Sequence, residues 1–326
     1  MAVLLILSTF APMKTIILSE GVSLSEPSVA TIGVFDGVHR GHQLVISRVL
    51  DTARQTGMAS VVVTFDRSPR EVLDPSFHPQ MLTTLAEKKA IMAQLGVDYL
   101  VVLPFTRALA ALSAQAFMKQ VLCERLCVKT LFTGYDNRFG HNREEGFDDY
   151  VRYGQALGME VVQTDVEMID GQRAVSSTVI RQLLAEDGRV DLMPDVLTRY
   201  YSLTGHIVSG EHIGHELGFP TANLLPDSPE KLIPAGGVYA VWASLDGEGH
   251  CLPAMMNIGM RPTFEGHHQT LEVHILKPVG DVYGRRLTVE FVSRLRSEHR
   301  FDSREALMTQ LKQDRETVER LLDKKI

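Results

Sequence analysis

Thr31-Ile-Gly-Val-Phe-Asp-Gly-Val-His-Arg-Gly-His42 is the stretch around which the chain is organised. The apolar run Val29–Phe35 reads as a buried strand, and it runs into a turn carrying Gly37 and Gly41. A helical pattern follows, with Leu44, Val45, Val49 and Leu50 on one face. Strand, glycine turn and helix together aim backbone N–H groups at an anion. His39 and His42 flank Gly41 and can donate hydrogen bonds to phosphoryl oxygens, where transition-state charge develops. By spacing alone, a plain glycine turn with two surface histidines is the commoner reading. No Lys-Ser/Thr follows the glycines, so this is not a Walker loop, and it lacks the G-x-G-x-x-G fingerprint.

Working outward, Lys14–Leu18 reads as the first strand, and Ser60–Phe65 is a continuous β-branched run of the kind buried in parallel sheets. A proline-containing loop, Asp66–Thr83, leads to a helix near Leu85–Leu95. A strand at Tyr99–Leu103, a long helix near Ala108–Leu126 and a strand at Thr130–Thr133 complete the pattern. Strands alternating with helices predict a right-handed parallel α/β sheet, with ligands outside the carboxyl ends of its strands. One such end carries Gly134-Tyr-Asp-Asn-Arg-Phe-Gly140, in which Asp136 and Arg138 make either a ligand loop or a polar turn with an ordinary ion pair. At Val175–Leu184, Ser176, Ser177 and Thr178 open a helix with Arg181 one turn inside. That pattern is a helix cap, and equally an anion site.

From Tyr200 the texture changes to short strands divided by glycine and proline: Thr204–Ser209, Val238–Ala243, Leu271–Leu276 and Leu287–Val292. Their spacing predicts an antiparallel sandwich or barrel. Leu271, Val273 and Ile275 share one face, and Glu272 and His274 the other. A helix near Asp302–Leu322 closes the chain. The expectation is therefore two domains, 1–190 α/β (Rossmann-like) and 191–326 an antiparallel β-barrel with a C-terminal helix.

A length of 326 residues suits two cores. The net charge of −7 argues against a nucleic-acid-coating surface, so anionic ligands need locally basic pockets. Cys123, Cys127 and Cys251 make no disulfide framework, and the first two read as buried thiols one helical turn apart. That fits a reducing cytosol. Met1–Phe10 is apolar but has no basic segment before it and no small-residue cleavage site. It reads either as an extension or as a start misassigned to Met1 in place of Met13. No run approaches a membrane span, and oligomeric state is not readable from the sequence.

In the second half, Gly210, Gly214 and Gly218 lead into Phe219-Pro220-Thr-Ala-Asn223. These glycines allow close backbone approach, and Thr221 and Asn223 offer the oxygen donors that suit Mg²⁺ with phosphates. An ordinary glycine-rich barrel loop has the same pattern. His206, His212 and His215 lack cysteine or acidic partners at zinc spacing. His267-His268 reads as a solvated turn, and Met255 and Met256 as core or pocket wall.

Gly33-x-Phe35-Asp36-Gly37-Val-His39-x-Gly-His42 resembles the H-x-G-H signature of nucleotidyltransferases, in the form seen in the bacterial bifunctional riboflavin kinase/FMN adenylyltransferase (FAD synthetase) family. The Gly134 loop and the Ser176-Ser-Thr-x-Ile-Arg181 start are similar to the same family. So are Pro220-Thr-Ala-Asn223, Asn257-Ile-Gly-x-Arg-Pro-Thr-Phe264, Leu271-Glu-Val-His274, Tyr283-Gly284, Leu295-Arg296 and Phe301. The chain departs from the pattern at Asn137, where an aromatic is usual, and at Arg67-Ser68, His215 and Lys277. The resemblance implies phosphorylation of riboflavin to FMN in the C-terminal domain and adenylylation of FMN to FAD in the N-terminal one. ATP is the co-substrate and Mg²⁺ the metal. It implies Glu272 as catalytic base, Thr221 and Asn223 as metal and phosphate ligands, and His39, His42 and Arg181 around the adenylyl transition state. Gly33, Phe35, Asp36, Gly37, Asp136, Arg138, Ser176, Ser177, Thr178, Gly210, Gly214, Gly218, Pro220 and Arg296 follow as binding residues. A monofunctional riboflavin kinase with a regulatory N-terminal domain, and a flavin carrier without chemistry, are the alternatives.

Overall fold

The computed structural model describes residues 12–135, 137–141, 144–169, 173–209, 219–248, 250–263 and 266–323. Asp136 and the glycine loop with Gly210, Gly214 and Gly218 lie outside the described residues, as does the Met1–Phe10 extension. By its contacts the chain divides into two compact units, Met1–Ser176 and Ser177–Ile326.

The first unit runs β1 (Lys14–Ile17), β2 (Ser28–Ile32), α1 (Arg40–Thr56), β3 (Ala59–Phe65), α2 (Pro69–Leu73) and α3 (Leu85–Leu95). It continues through β4 (Tyr99–Leu103), α4 (Arg107–Ala110), α5 (Ala114–Phe117), β5 (Val128–Thr133), α6 (Phe147–Leu157) and β6 (Glu160–Gln163). A small hairpin follows, β7 (Met168–Ile169) with β8 (Arg173–Ala174). The six-stranded sheet has the order β1-β4-β3-β2-β5-β6 and is parallel throughout. Every residue of β2 is buried, as a sheet covered on both faces requires. The chain winds outward from β2 through β3 to β4, then returns to pair β5 on the other side of β2. The carboxyl ends of β2 and β5 therefore border the crevice where the winding reverses, the usual ligand position in such sheets.

Three local readings need correction. β2 stops at Ile32, short of the expected Phe35, because Phe35 (φ 49°), Gly37 (φ 81°) and Val38 (φ 41°) turn left-handed and no strand can continue. The expected single helix from Ala108 to Leu126 is broken. Thr106 and Ser113 each accept a backbone N–H, from Leu109 and Ala116, and so cap two separate starts. From Ala114 the helix continues past Phe117, more widely wound as a π-helix over Met118–Cys123. Cys127 is not helical (φ 51°), and both it and Cys123 are half-buried.

The second unit holds α7 (Ser177–Ala185) and α8 (Met193–Leu197), then six antiparallel strands. These are β9 (Tyr201–Val208), β10 (Ala222–Pro226), β11 (Gly237–Leu245), β12 (Leu252–Thr263), β13 (Gly266–Ile275) and β14 (Arg286–Arg296). They close as a barrel in the order β10-β13-β12-β11-β14-β9, and closure leaves no free sheet edge. Along β9 the inward residues Tyr201, Leu203 and Ile207 alternate with more exposed ones. α9 (Arg304–Asp323) packs Val318 and Leu322 with Ala240, Met255 and Val292 of the strands. His267 and His268 stand in β13, opposite Pro262 and Arg261, not in a turn. Met255 and Met256 are buried, as expected.

Candidate functional sites

The H-x-G-H turn is built from behind. Asp36 is 1% exposed, and its carboxylate accepts N–H bonds from Leu82 (3.1 Å) and Thr83 (3.0 Å) and the Thr83 hydroxyl proton (3.3 Å). The Gly37 N–H donates to Thr83 Oγ1 (3.0 Å). His39 is the N-cap of α1, and its Nδ1 accepts the backbone N–H of His42 at 3.4 Å. A neutral His39 ring therefore carries its proton on Nε2. The two imidazoles stack with centroids 3.6 Å apart, and the Phe35 ring meets His42 edge-on at 5.1 Å. Burial, with the His39 ring and the Lys88 ammonium nearby, holds the His42 pKa well below the usual imidazole range. His42 Nδ1 is buried with no hydrogen-bond partner. Two imidazoles beside a helix N-terminus, the His42 ring held neutral by burial, can donate to an anion.

Beside the turn lies a cavity of about 750 Å³ at the carboxyl ends of the central strands. Ile32, Gly33 and Val34 form one wall, and Phe65, Phe105 and Phe139 add aromatic faces. Phe65 and Phe105 meet edge-to-face at 5.2 Å. Arg70, Arg107, Arg138 and His141 bring basic groups to the same cavity. Asn137, in place of the usual aromatic, also lines it, and its carboxamide donates to the Ile32 carbonyl. Arg138, the loop residue singled out in the sequence, is among those lining this cavity.

Glu167 and Val175 border the turn. Arg40 pairs with Glu167 at 2.8 Å, and the Val175 carbonyl lies 3.6 Å from where a Gly41 Cβ would stand. Ser176 follows directly. Ser177, Thr178 and Arg181 belong to the opening turns of α7, which is tied to its own unit by the Ala235 N–H donating to the Leu184 carbonyl (2.9 Å).

On the barrel, Asn223 of β10, Glu272 of β13 and Asn257 of β12 are direct cross-strand partners. Opposed residues of antiparallel strands share a face, so these three side chains stand in one row. All three are half-buried, whereas their strand neighbours Ala222, Leu271, Val273 and Ile258 turn into the core. Thr221 precedes β10, and the exposed Pro220 lends its carbonyl to His274 Nδ1 at 2.8 Å. His274 is itself buried, which lowers its pKa. Arg296 is engaged by Asp314 of α9 at 2.8 Å and lies over the Phe301 ring. Hydroxyl, carboxamide and carboxylate oxygens suit a hard cation, and among the described residues there is no His/Cys/Asp/Glu cluster for a softer metal.

Asn257, Thr83 and Lys88 were not anticipated as site residues. Lys88 left one legible trace: it falls on the apolar stripe of α3, where with Met92 it is buried.

A parallel α/β domain with an H-x-G-H turn and a six-stranded barrel with an Asn–Glu–Asn row together describe a two-domain transferase. The FAD synthetase family profile matches residues 22–179, and the riboflavin kinase profile residues 197–322. A bifunctional riboflavin kinase/FMN adenylyltransferase of Escherichia coli is 38% identical over 90% of this chain and 92% of its own. One of Pseudomonas fluorescens is 41% identical over 88% and 90%. A solved structure from Streptococcus pneumoniae, described as a macrolide-efflux protein, is 30% identical with a TM-score of 0.85. It is matched over 94% of this chain and 99% of that one. Among the described residues of this chain no helix is long and apolar enough to cross a membrane. The chain belongs to the bifunctional riboflavin kinase/FMN adenylyltransferase family and carries both of its domains.

Proposed function

We propose that the chain makes FAD from riboflavin in two steps, phosphorylation by residues 191–326 and adenylylation by residues 1–190. In the first step Glu272 accepts the proton of the ribityl 5′-hydroxyl as that oxygen attacks the γ-phosphorus of ATP, and ADP leaves. Asn223 and Asn257, its cross-strand partners, would flank the carboxylate and orient it. Thr221 and Asn223 would hold Mg²⁺, which when bound neutralises phosphate charge. The glycines at 210, 214 and 218, with Pro220, would let backbone approach the nucleotide, and Arg296 would brace the site through Asp314.

In the second step the FMN phosphate attacks the α-phosphorus of a second ATP and pyrophosphate leaves. A phosphate is already a nucleophile, so the site needs charge stabilisation, not a strong base. His39, His42 and the N-terminus of α1 are suited to that, and the family motif assigns Ser176, Ser177, Thr178 and Arg181 to the same phosphates. Gly33 and Phe35 would wall the site and Asp36 and Gly37 shape it, with Asp136 and Arg138 in the neighbouring loop. Partners are flavins and ATP, not nucleic acid or membrane, and the cysteine usage supports a cytoplasmic setting.

The observation that carries this reading is one chain holding two separate constellations, a stacked histidine pair at a helix N-terminus and an Asn–Glu–Asn row. Incubating the purified chain with riboflavin, ATP and Mg²⁺ and separating the flavins by chromatography should yield FMN and FAD. FMN alone would overturn the adenylylation step, and unchanged riboflavin the phosphorylation step.

A further inference from the structure

Lys88 stands in the first turns of α3 and is 3% exposed. Burying an ammonium is costly unless its charge and its protons are met. Here Nζ donates to the Val34 carbonyl at 2.6 Å and to Thr64 Oγ1 at 3.1 Å, and the Thr64 hydroxyl donates to the same carbonyl at 3.1 Å. The Asp36 carboxylate favours the charged form. Leu82 and Thr83 hold that carboxylate, so the single segment Leu82–Lys88 grips the turn at both Val34 and Asp36. The gripped backbone is strained: Phe35 and Val38 are left-handed without being glycine. Strain of this kind persists only where surrounding bonds over-determine it, and Lys88 supplies one of them. The next residue in the chain is the imidazole that caps α1.

We propose that Lys88 is a positioning residue for adenylyl transfer: its buried ammonium fixes the Val34–Val38 turn from behind and so sets where His39 and His42 meet the phosphates. The inference rests on the adenylyltransferase reading of that site. A misplacement near 1 Å costs on the order of 100-fold in rate, so a residue of this type acts on kcat and not on flavin affinity.

The test uses the full chain with FMN and MgATP supplied. If the wild-type chain makes no FAD, the reading of the site fails, whatever Lys88 does. If it does make FAD, K88M should lower kcat about 10- to 100-fold while leaving KM for FMN within about threefold. Riboflavin phosphorylation in the same preparation should be unchanged. Burial pushes the Lys88 ammonium down to about 8. The charged and titratable groups facing it are Asp36 on the turn and His42, backed by His39, at the start of α1, and burial holds the His42 pKa below the usual imidazole range. Wild-type kcat should therefore fall along an alkaline limb as Lys88 loses its proton, and K88M should lack that limb. T64V keeps the volume but removes one acceptor, which disfavours the ammonium and should move the limb to lower pH. Wild-type kcat in K88M, or a limb that stays in place in T64V, overturns the proposal. If K88M does not fold, the T64V profile decides alone.

Discussion

His42 holds a buried ring nitrogen, Nδ1, that no group among the described residues satisfies. Its ring lies flat on His39, and its charge is suppressed by burial and by two basic neighbours. A free energy is carried in an unmade hydrogen bond, and a bound phosphate can supply the missing partner. Removing one preorganised donor from such a site costs about 100- to 1,000-fold in rate. His42→Ala should lower FAD formation from FMN by about that factor and leave FMN formation from riboflavin near wild type. Equal loss of both, in a folded variant, would mean the two chemistries are not separate. Asn137 poses a closer contest. Phe at this position would add a flavin-stacking face, and base–aromatic stacking is worth about 1–3 kcal/mol. It would also remove the carboxamide link to the Ile32 carbonyl, worth about 1 kcal/mol. The larger quantity wins, so Asn137→Phe should tighten FMN binding in a fluorescence titration. Unchanged or weaker binding would show that the link to β2 matters more than the missing ring.

α3 shows an element serving a site it does not line. Thr84 caps it, with Thr84 Oγ1 accepting the Glu87 N–H at 3.2 Å and Glu87 accepting the Thr84 N–H at 2.8 Å. This box sits between the residues that hold Asp36 and the lysine that holds Val34, so fraying here loosens the turn. Thr84→Ala should cost about 1 kcal/mol and make FAD formation more heat-sensitive than FMN formation. Identical thermal inactivation curves for the two activities would separate the cap from the site. α3, β3 and β4 were legible because an apolar run bounded by turn residues has one stable reading. β12 was hidden by Pro253, Gly259 and Pro262, which read as breakers but are tolerated in a long strand of a closed barrel. α6 was missed because it opens on Gly146 and a polar first turn, Asp148-Asp149, whose carboxylates suit a helix N-terminus. His39, His42 and Glu272 were legible as motif residues. The Lys88 and Asn137 contacts were not, because both end on backbone carbonyls, which have no sequence signature.

Across the whole chain the two constellations fall in different compact units, with the histidine turn in the first and the Asn223–Glu272–Asn257 row in the second. Each unit also has its own core, so chemistry can be removed from one without unfolding the other. Glu272 is the sharpest place to use this. Its neighbours on β13, Leu271 and Val273, are buried, so strand alternation turns the carboxylate to the opposite face, between two carboxamides. Glu272→Gln keeps the shape and the cross-strand register but cannot take a proton. A positioned general base contributes about 10²–10⁴-fold, and riboflavin phosphorylation should fall by that factor while ATP binding persists. Conversion of supplied FMN to FAD should be spared, because the proposed adenylylation site, with His39 and His42, lies in the other unit. Both assays run on one preparation, so loss of the first with retention of the second cannot come from general misfolding. Riboflavin phosphorylation at the wild-type rate would show that Glu272 is not the base and that the hydroxyl proton leaves by another route.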